Sequence, residues 1–400
     1  MIDKRPSGEA RLKSREDEAG TVMGTLENQR DPLEGLRLRV VLDTTTICNL
    51  RCRQCFHSLY HVRGLPYRQN EMPPAMFEKI LDDLEGHIDS LVLSCSAEPF
   101  TNSDLHRYLA IVRRRAGSVE KWIATNGLLL NEDIARDLIE TRVDWMVVSI
   151  DGARRETYNA IRVGGDFDRL MSRLDVLNRL KAEMGSDRPR LRFNVTLSRA
   201  NLDELPLFVD LAREKQVAEV TFQHLVPFRG LNLKHQTLLY ENRRKVREVF
   251  DRTRERGRRL GVHLGDLHDI PNPLQCFGDL LADVARRFLV SVSSDFGELG
   301  RTAEPHPTEG VSCNQPWHTV AFTPRAKVAP CLNWLDEPPM GNIAQMSFRE
   351  IWESDPYQRL RAELSGALPR RRRCAECLRM ARRNVGRHTF REQDLVPYEM

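Results

Sequence analysis

The sequence predicts an α/β protein in which parallel strands are joined by helical crossovers. Three observations lead there. Short apolar or β-branched runs recur between residues 37 and 265, stretches with helical spacing fill the gaps between them, and polar or cysteine residues stand where the strands end. Such alternation builds either a doubly wound sheet or a full or partial (β/α) barrel. Either architecture places chemistry at the carboxyl ends of its strands.

The strands read, in order, as LRVVLDTT (37–44), SLVLSC (90–95), KWIATN (121–126), WMVVSI (145–150), RLRFNVTL (190–197), EVTFQH (219–224) and GVHLG (261–265). Each is short, and most are bounded by turn residues. Helical spacing marks 73–86, 103–116, 131–140, 167–183, 202–215 and 241–257, several of them opening on Asn, Ser or Asp in capping position. A dinucleotide-binding version is disfavoured, because no G-x-G-x-x-G comes after the first strand. The chain runs instead into CNLRCRQC, residues 48–55.

Composition bounds the rest. Forty per cent apolar and thirty per cent charged residues over 400 positions allow two to three domains with a sizeable core. No apolar run reaches the roughly 18 residues of a membrane span, and the first thirty residues are too charged for a signal peptide. A cytoplasmic address is therefore expected, where nine cysteines stay reduced and clustered ones serve as metal ligands or catalytic thiols. A net charge of +4 predicts no nucleic-acid partner.

Cys48, Cys52 and Cys55 are spaced C-x3-C-x2-C, one ligand short of a tetrahedral zinc site. Thiolates on one loop suit three irons of a 4Fe-4S cube, leaving the fourth open to a substrate or cofactor. Polar groups recur at the later strand ends: SAEP (96–99), TNG (125–127), SIDG (149–152), then Gln223 and His224. Far downstream, Cys313 and Cys331 stand with seventeen residues between them, and Cys374 and Cys377 form a C-x2-C pair. Four thiols in this order suit a structural zinc or a fully ligated 4Fe-4S cluster, and spacing alone does not choose.

The cysteine motif and its strand-end companions resemble the radical S-adenosylmethionine (SAM) superfamily. One departure is that the aromatic often found just before the third cysteine is Gln54 here, with Phe56 just after it. SAEP looks like a variant of the family's Gly-Gly-Glu-Pro segment, which implies that Ser96, Ala97 and Glu98 hold the methionyl amino group of SAM. The stretch SIDGARRETYNAIRVGGDF resembles the family's fourth strand and following helix, which implies that Ser149 and Arg162 grip the methionyl carboxylate. Taken one at a time, these residues have plainer readings: Glu98 as a helix-capping acid, Ser149 and Asp151 as turn formers, Arg162 as a surface residue. Asn194 or Ser198 on the fifth strand, and Gln223 or His224 on the sixth, are candidates for ribose, adenine or substrate contacts. No side chain is assigned a catalytic role.

CNQPW, KVAPCLNW, GNI (341–343), IWES (351–354) and CAEC resemble the auxiliary-cluster domain called SPASM, or its shortened form, Twitch. No cysteine follows Cys377, which implies a single auxiliary cluster on Cys313, Cys331, Cys374 and Cys377. The expected architecture is thus a partial (β/α)6 TIM-type barrel with a small C-terminal cysteine-rich auxiliary-cluster domain. Its divisions are a flexible polar extension (1–35), the barrel (36–265), a bridging segment with Cys276 (266–310), the auxiliary domain (311–385) and a tail (386–400). Cys95 reads as a packed small hydrophobe, and PRRRRC (369–374) as a solvated basic turn that would raise the auxiliary potential if it adjoins the cluster.

The resemblance implies the cofactors and the chemistry: SAM, a SAM-binding 4Fe-4S cluster on three cysteines and a second 4Fe-4S cluster on four. A reductant such as flavodoxin or ferredoxin supplies an electron, SAM is split to a 5'-deoxyadenosyl radical, and that radical takes a hydrogen atom from the substrate. Family members with one auxiliary cluster include cyclitol dehydrogenases of aminoglycoside pathways, which favours oxidation or rearrangement of a small polar molecule. Thirty-five polar residues ahead of the barrel are too few for the leader-binding module of many peptide-modifying relatives. The rival readings are a maturase that crosslinks, epimerises or forms thioethers in a ribosomal peptide, and a non-catalytic iron-sulfur or zinc scaffold.

Overall fold

The computed structural model describes residues 33–58, 69–94, 96–225, 231–265, 267, 313–332, 334, 337–372, 374, 375, 377 and 378. Cys95, Cys276, nearly all of the expected bridging segment and the expected tail lie outside the described residues. The chain divides into compact units at 1–36 and 37–400. In the first, residues 33–36 form a turn closed by the Leu36 N–H on the Leu33 carbonyl (3.0 Å). The second holds the sheet and every candidate site residue.

Seven parallel strands succeed one another in sequence order: β1 (Leu38–Leu42), β2 (Ile88–Leu93), β3 (Glu120–Thr125), β4 (Trp145–Ser149), β5 (Arg190–Leu197), β6 (Glu219–His224) and β7 (His263–Gly265). The order decides between the two architectures. A doubly wound sheet reverses its stacking at a switch point, whereas here right-handed crossovers place every helix on one face of the sheet. This is the winding of a barrel, and the fold is a mixed α/β partial barrel.

The crossover helices are α1 (Pro74–Asp83), α2 (Leu105–Arg115), α3 (Glu132–Glu140), α4 (Arg155–Ile161) with α5 (Phe167–Glu183), α6 (Leu205–Glu214) and α7 (Arg243–Leu260). Capping fixes several starts: Asn131, Asp166 and Asn242 side chains accept from first-turn N–H groups of α3, α5 and α7. Helix α6 starts later than its spacing suggests, because Leu202–Glu204 tighten into a 3-10 turn ahead of it. No helix of the described residues is long and apolar enough to cross a membrane.

Strand alternation sets two faces. Ile123, Met146, Val148, Leu191, Phe193, Val195 and Val220 are wholly buried beneath the helices. The alternate residues line the inner face. Toward the amino ends of the strands that face is filled: the Trp122 and Trp145 rings stack at 5.2 Å, and the Arg192 guanidinium lies 4.6 and 4.9 Å from them. Arg192 also pairs with Glu219 at 2.6 Å.

The C-terminal segment adds to the same sheet. After a turn, α8 (Gln315–His318), strand β8 (Thr319–Phe322) pairs parallel with β1, and β9 (Lys327–Ala329) and β10 (Gly341–Asn342) continue antiparallel. The cysteine-rich segment is thus hydrogen-bonded into the barrel sheet. Helices α9 (Phe348–Glu353), opened by a Ser347/Glu350 capping box, and α10 (Asp355–Ser365) complete it. Phe322, Phe348, Trp352 and Tyr357 form a run of ring contacts from 5.0 to 6.4 Å that ties both helices to the hairpin.

Gly152, at the end of β4, has no room for a side chain. A Cβ there would stand 2.2 Å from the Tyr158 backbone nitrogen of α4. Gly152→Ala should therefore push α4 outward and cost roughly 1–3 kcal/mol or more of stability, read as a lower Tm in thermal unfolding; an unchanged Tm would contradict this packing.

Candidate active site

Strand β1 delivers the chain into a loop, residues 43–58, that carries Cys48, Cys52 and Cys55, none of them in a disulfide. Its first bonds are local. Cys55 N–H donates to the Cys52 carbonyl and Ser58 N–H to the Cys55 carbonyl (both 3.0 Å), while Ser58 Oγ donates to the Cys52 carbonyl (2.6 Å). Arg51 Nη1 donates to the Cys48 carbonyl at 2.9 Å.

Three neighbouring segments hold the loop from outside. After β2, the Glu98 N–H and Thr101 Oγ1 donate to the Ile47 carbonyl (3.0 and 3.2 Å), and His57 Nε2 donates to the Ser96 carbonyl (2.7 Å). Ser96 in turn donates from N–H and Oγ to the Asp43 carboxylate (3.1 and 2.5 Å). After β3, Asn126 Nδ2 donates to Asn49 Oδ1 (2.8 Å). After α4, the Val163 and Ile161 carbonyls accept from the Arg51 and Arg53 N–H groups, each at 2.9 Å.

Glu98 is 1 % exposed and braces two of these segments together. Its Oε1 accepts from Thr125 Oγ1 (2.6 Å) and the Phe100 N–H (3.2 Å), and its Oε2 from the Asn126 N–H (2.6 Å). Burial pushes the carboxyl up to about 7, with the Thr125, Asn126 and Phe100 donors pulling it back. A carboxylate has about four acceptor positions, so three bonds leave it capacity for one further donor. The neighbouring carbonyls are partly committed: Ser96 to His57, and Ala97 to Ser94 Oγ at 3.4 Å.

Arg162 comes just after α4 and reaches back to the thiols. Its Nε lies 2.9 Å from Asp151 Oδ2, and its Nη1 donates to the Cys52 sulfur at 3.8 Å. Asp151 is 1 % exposed and is fixed by the Thr196 N–H on its Oδ1 (2.8 Å). Burial alone would lower the guanidinium, but Asp151 and then Cys52 outweigh it and hold Arg162 firmly charged. The thiols move the other way. Burial pushes Cys48 up to about 11 and raises Cys52 and Cys55, with the Arg162 charge opposing in all three.

Ser149, Asn194 and Thr221 stand side by side in register across β4, β5 and β6. Asn194 Oδ1 and Thr221 Oγ1 are buried without a hydrogen-bond partner. Gln223 and His224, at the end of β6, are half-buried. Ser198 is occupied locally, its N–H and Oγ both donating to Asn201 Oδ1 (2.8 and 3.3 Å).

The second thiol group frames the β8–β9 hairpin. Cys313 precedes α8, Cys331 follows β9, and Cys374 lies near enough to Cys313 for the two to interact electrostatically. Burial pushes Cys374 up to about 12, and Arg371 opposes. Arg371 is itself clasped by Glu363, Nε at 2.6 Å and Nη2 at 3.1 Å, so the basic run expected to raise the local potential has this charge largely cancelled.

Comparison with known proteins agrees with the geometry. Residues 42–187 match the model of the radical SAM superfamily, and residues 313–378 match that of SPASM, an iron-sulfur cluster-binding domain. The chain belongs to the radical SAM superfamily. It is 29 % identical over 219 residues to the Fe-coproporphyrin III synthase of Methanosarcina barkeri (strain Fusaro / DSM 804), covering 54 % of this chain and 51 % of that protein. Against the GTP 3',8-cyclase of Chlorobaculum tepidum (strain ATCC 49652 / DSM 12025 / NBRC 103806 / TLS) it is 26 % identical over 190 residues, covering 47 % and 54 %. The chain spans about half the length of these curated relatives. In fold it is similar to Streptococcus suis SuiB bound to S-adenosylmethionine (TM-score 0.58, 15 % identity, 87 % and 78 % covered). It is likewise similar to anSMEcpe with bound AdoMet (TM-score 0.55, 18 % identity, 81 % and 82 % covered).

The radical SAM and SPASM domains imply a SAM-binding 4Fe-4S cluster and an auxiliary cluster. The residues fit both. Three half-buried cysteines lie on one loop with the Asp151-held Arg162 against Cys52, and among the described residues Asn194 Oδ1 and Thr221 Oγ1 on the neighbouring strands have no hydrogen-bond partner. Among the described residues no three His, Cys, Asp or Glu converge as tightly as a single metal ion requires. A cube asks for less convergence, because each thiolate takes its own iron.

Sequence reading missed the braces: Asp43, Asn49, His57 and Asn126, and the role of Asp151 in fixing Arg162. Asp151 carried the clearest signal, a carboxylate at a strand end eleven positions before Arg162. If Glu98 is a brace, Glu98→Gln should destabilise the protein without added SAM by about 1–3 kcal/mol, because an amide nitrogen then faces the Thr125 or Asn126 donor. Unfolding of both proteins in denaturant checks this; equal midpoints would restrict Glu98 to ligand contact.

Proposed function

We propose that this chain is an enzyme that reductively cleaves SAM and oxidises or rearranges a small polar molecule, with one auxiliary 4Fe-4S cluster as electron acceptor. The observation that carries the reading is the anchoring of Cys48, Cys52 and Cys55 beside the Asp151–Arg162 pair at the strand ends. When bound, the cluster and SAM together supply a 5'-deoxyadenosyl radical able to take hydrogen from an unactivated C–H bond. A reductant such as flavodoxin or ferredoxin provides the electron.

The chain's own residues bind and orient. Arg162 is held on one edge by Asp151, so its guanidinium presents a fixed fork that suits the methionyl carboxylate, with the Ser149 hydroxyl beside it. Glu98 retains acceptor capacity for the methionyl ammonium, together with the Ser96 and Ala97 carbonyls. Asn194 and Thr221 offer an unpartnered acceptor and hydroxyl to the ribose or the substrate. The Trp122, Trp145 and Arg192 packing fills the amino end of the inner face, leaving the strand ends as the reactive side.

Two considerations favour a small molecule. The inner face offers hydrogen-bonding groups in one register layer, and relatives detectable by sequence are named for synthesising Fe-coproporphyrin III and cyclising GTP. Similarity to SuiB is of fold alone and does not argue for a peptide. The SPASM segment, residues 313–378, holds four cysteines, one cube's set of ligands, and a single auxiliary cluster is the composition we propose.

Reconstituted anaerobically, the protein should hold about eight irons, two cubes' worth, and form 5'-deoxyadenosine when given dithionite and SAM. Cys48→Ala, Cys52→Ala and Cys55→Ala should each abolish that product; full cleavage by any of them would sink the assignment. Cys374→Ala should keep uncoupled SAM cleavage while stopping turnover of substrate. Wild-type product formation by that variant would make the auxiliary group structural.

A further inference from the structure

Helix α10 carries two buried polar groups with no hydrogen-bond partner, Tyr357 Oη and Arg361 Nη2. Four positions apart, they lie on one face of the helix. Tyr357 is fully buried. Arg361 is fixed on its remaining edges: Nε donates to the Pro316 carbonyl (3.2 Å) and Nη1 to the Trp352 carbonyl (2.9 Å). Its guanidinium lies 3.9 Å from the Trp352 ring centroid and 4.7 Å from that of Tyr357. Each group is therefore held in place while one of its donors has no partner among the described residues.

Leaving a buried donor unsatisfied costs about 1–3 kcal/mol, and two on one face call for an acceptor that the polypeptide does not supply. The surroundings name it. Pro316, which Arg361 grips, lies in the turn just after Cys313, and Cys331 follows β9 alongside. The Tyr357 phenol is raised by burial, lowered by Arg361 and raised again by Cys331, so Cys331 is within its electrostatic reach. Arg371, a cation that acts on Cys374, is already committed to Glu363.

We propose that Tyr357 Oη and Arg361 Nη2 donate hydrogen bonds to the auxiliary 4Fe-4S cluster on Cys313, Cys331, Cys374 and Cys377 and thereby raise its reduction potential. The inference rests on the reading of those thiols as a cluster site. Donors to cluster or thiolate sulfur stabilise the reduced, more negative state, which is how outer groups tune such centres. An auxiliary cluster so tuned accepts an electron more readily.

The test is an EPR-monitored redox titration of the reconstituted full-length protein, wild type against Tyr357→Phe. The phenylalanine keeps the packing and removes only a hydroxyl that bonds nothing else in the chain. We expect the auxiliary midpoint to shift to lower potential, with iron content and the midpoint of the SAM-binding cluster unchanged. An unmoved auxiliary midpoint at full iron content overturns the inference. Should Tyr357→Phe load less iron, Arg361→Lys decides by the same reading, since it keeps the charge and removes the Nη2 donor. A wild type with only one cluster signal overturns this inference together with the auxiliary-cluster reading, while leaving 5'-deoxyadenosine formation by the first cluster intact.

Discussion

Everything at the strand ends depends on one constraint: a loop without regular structure must hold three thiols still. Fixing each loop residue costs roughly 1–2 kcal/mol of backbone entropy, while a typical hydrogen bond returns about 1 net. Turns within residues 43–58 cannot meet that cost alone. The barrel meets it from three sides, through Ile47 to the segment after β2, Asn49 to Asn126 after β3, and Arg51 and Arg53 to the carbonyls after α4. Parallel strands in sequence order are the reason this works, because they bring every carboxyl end to the same side of the sheet.

The same anchoring sets the electrostatics. Desolvation raises all three thiols, so under the proposed reading their binding of iron as thiolates releases protons and is linked to pH. Arg162 is the compensating charge, and Asp151 keeps it from swinging away. A buried pair of this kind contributes little net stability, since desolvation offsets most of the attraction. Its value is positional. One guanidinium, fixed against Asp151, faces Cys52 on one side and keeps a further edge for a carboxylate.

Much of this was legible in the chain. Strands β5 and β6 lie where their alternation places them, and α5 runs between the same residues as its spacing. Glu98 and Arg162 act electrostatically on the Cys48 thiol, and Ser149 and Asn194 pair in register on β4 and β5. Three things were not legible, for different reasons. The partners of Glu98 sit at Thr125 and Asn126, far along the chain, and no local pattern signals a pairing set by the parallel register. Strand β8 is four residues long and finds β1 across more than 270 positions, so neither length nor periodicity marks it. Helix α4 is only seven residues long and depends on Gly152 for its close approach.

That long-range pairing fixes how the two thiol groups relate. Because β8 runs parallel to β1 and β9 returns antiparallel, residues before β8 and after β9 lie at the end where β1 begins. Cys313 and Cys331 are those residues. The Cys48–Cys55 loop leaves from the opposite end of β1, a five-residue strand spanning about 16 Å. The Asp43 N–H, donating to the Phe322 carbonyl at 3.0 Å, pins the far end of β8 to the start of the loop. The two groups thus lie in loops beyond opposite ends of one hydrogen-bonded pair of strands. Under the proposed reading, chemistry that couples them passes electrons rather than atoms.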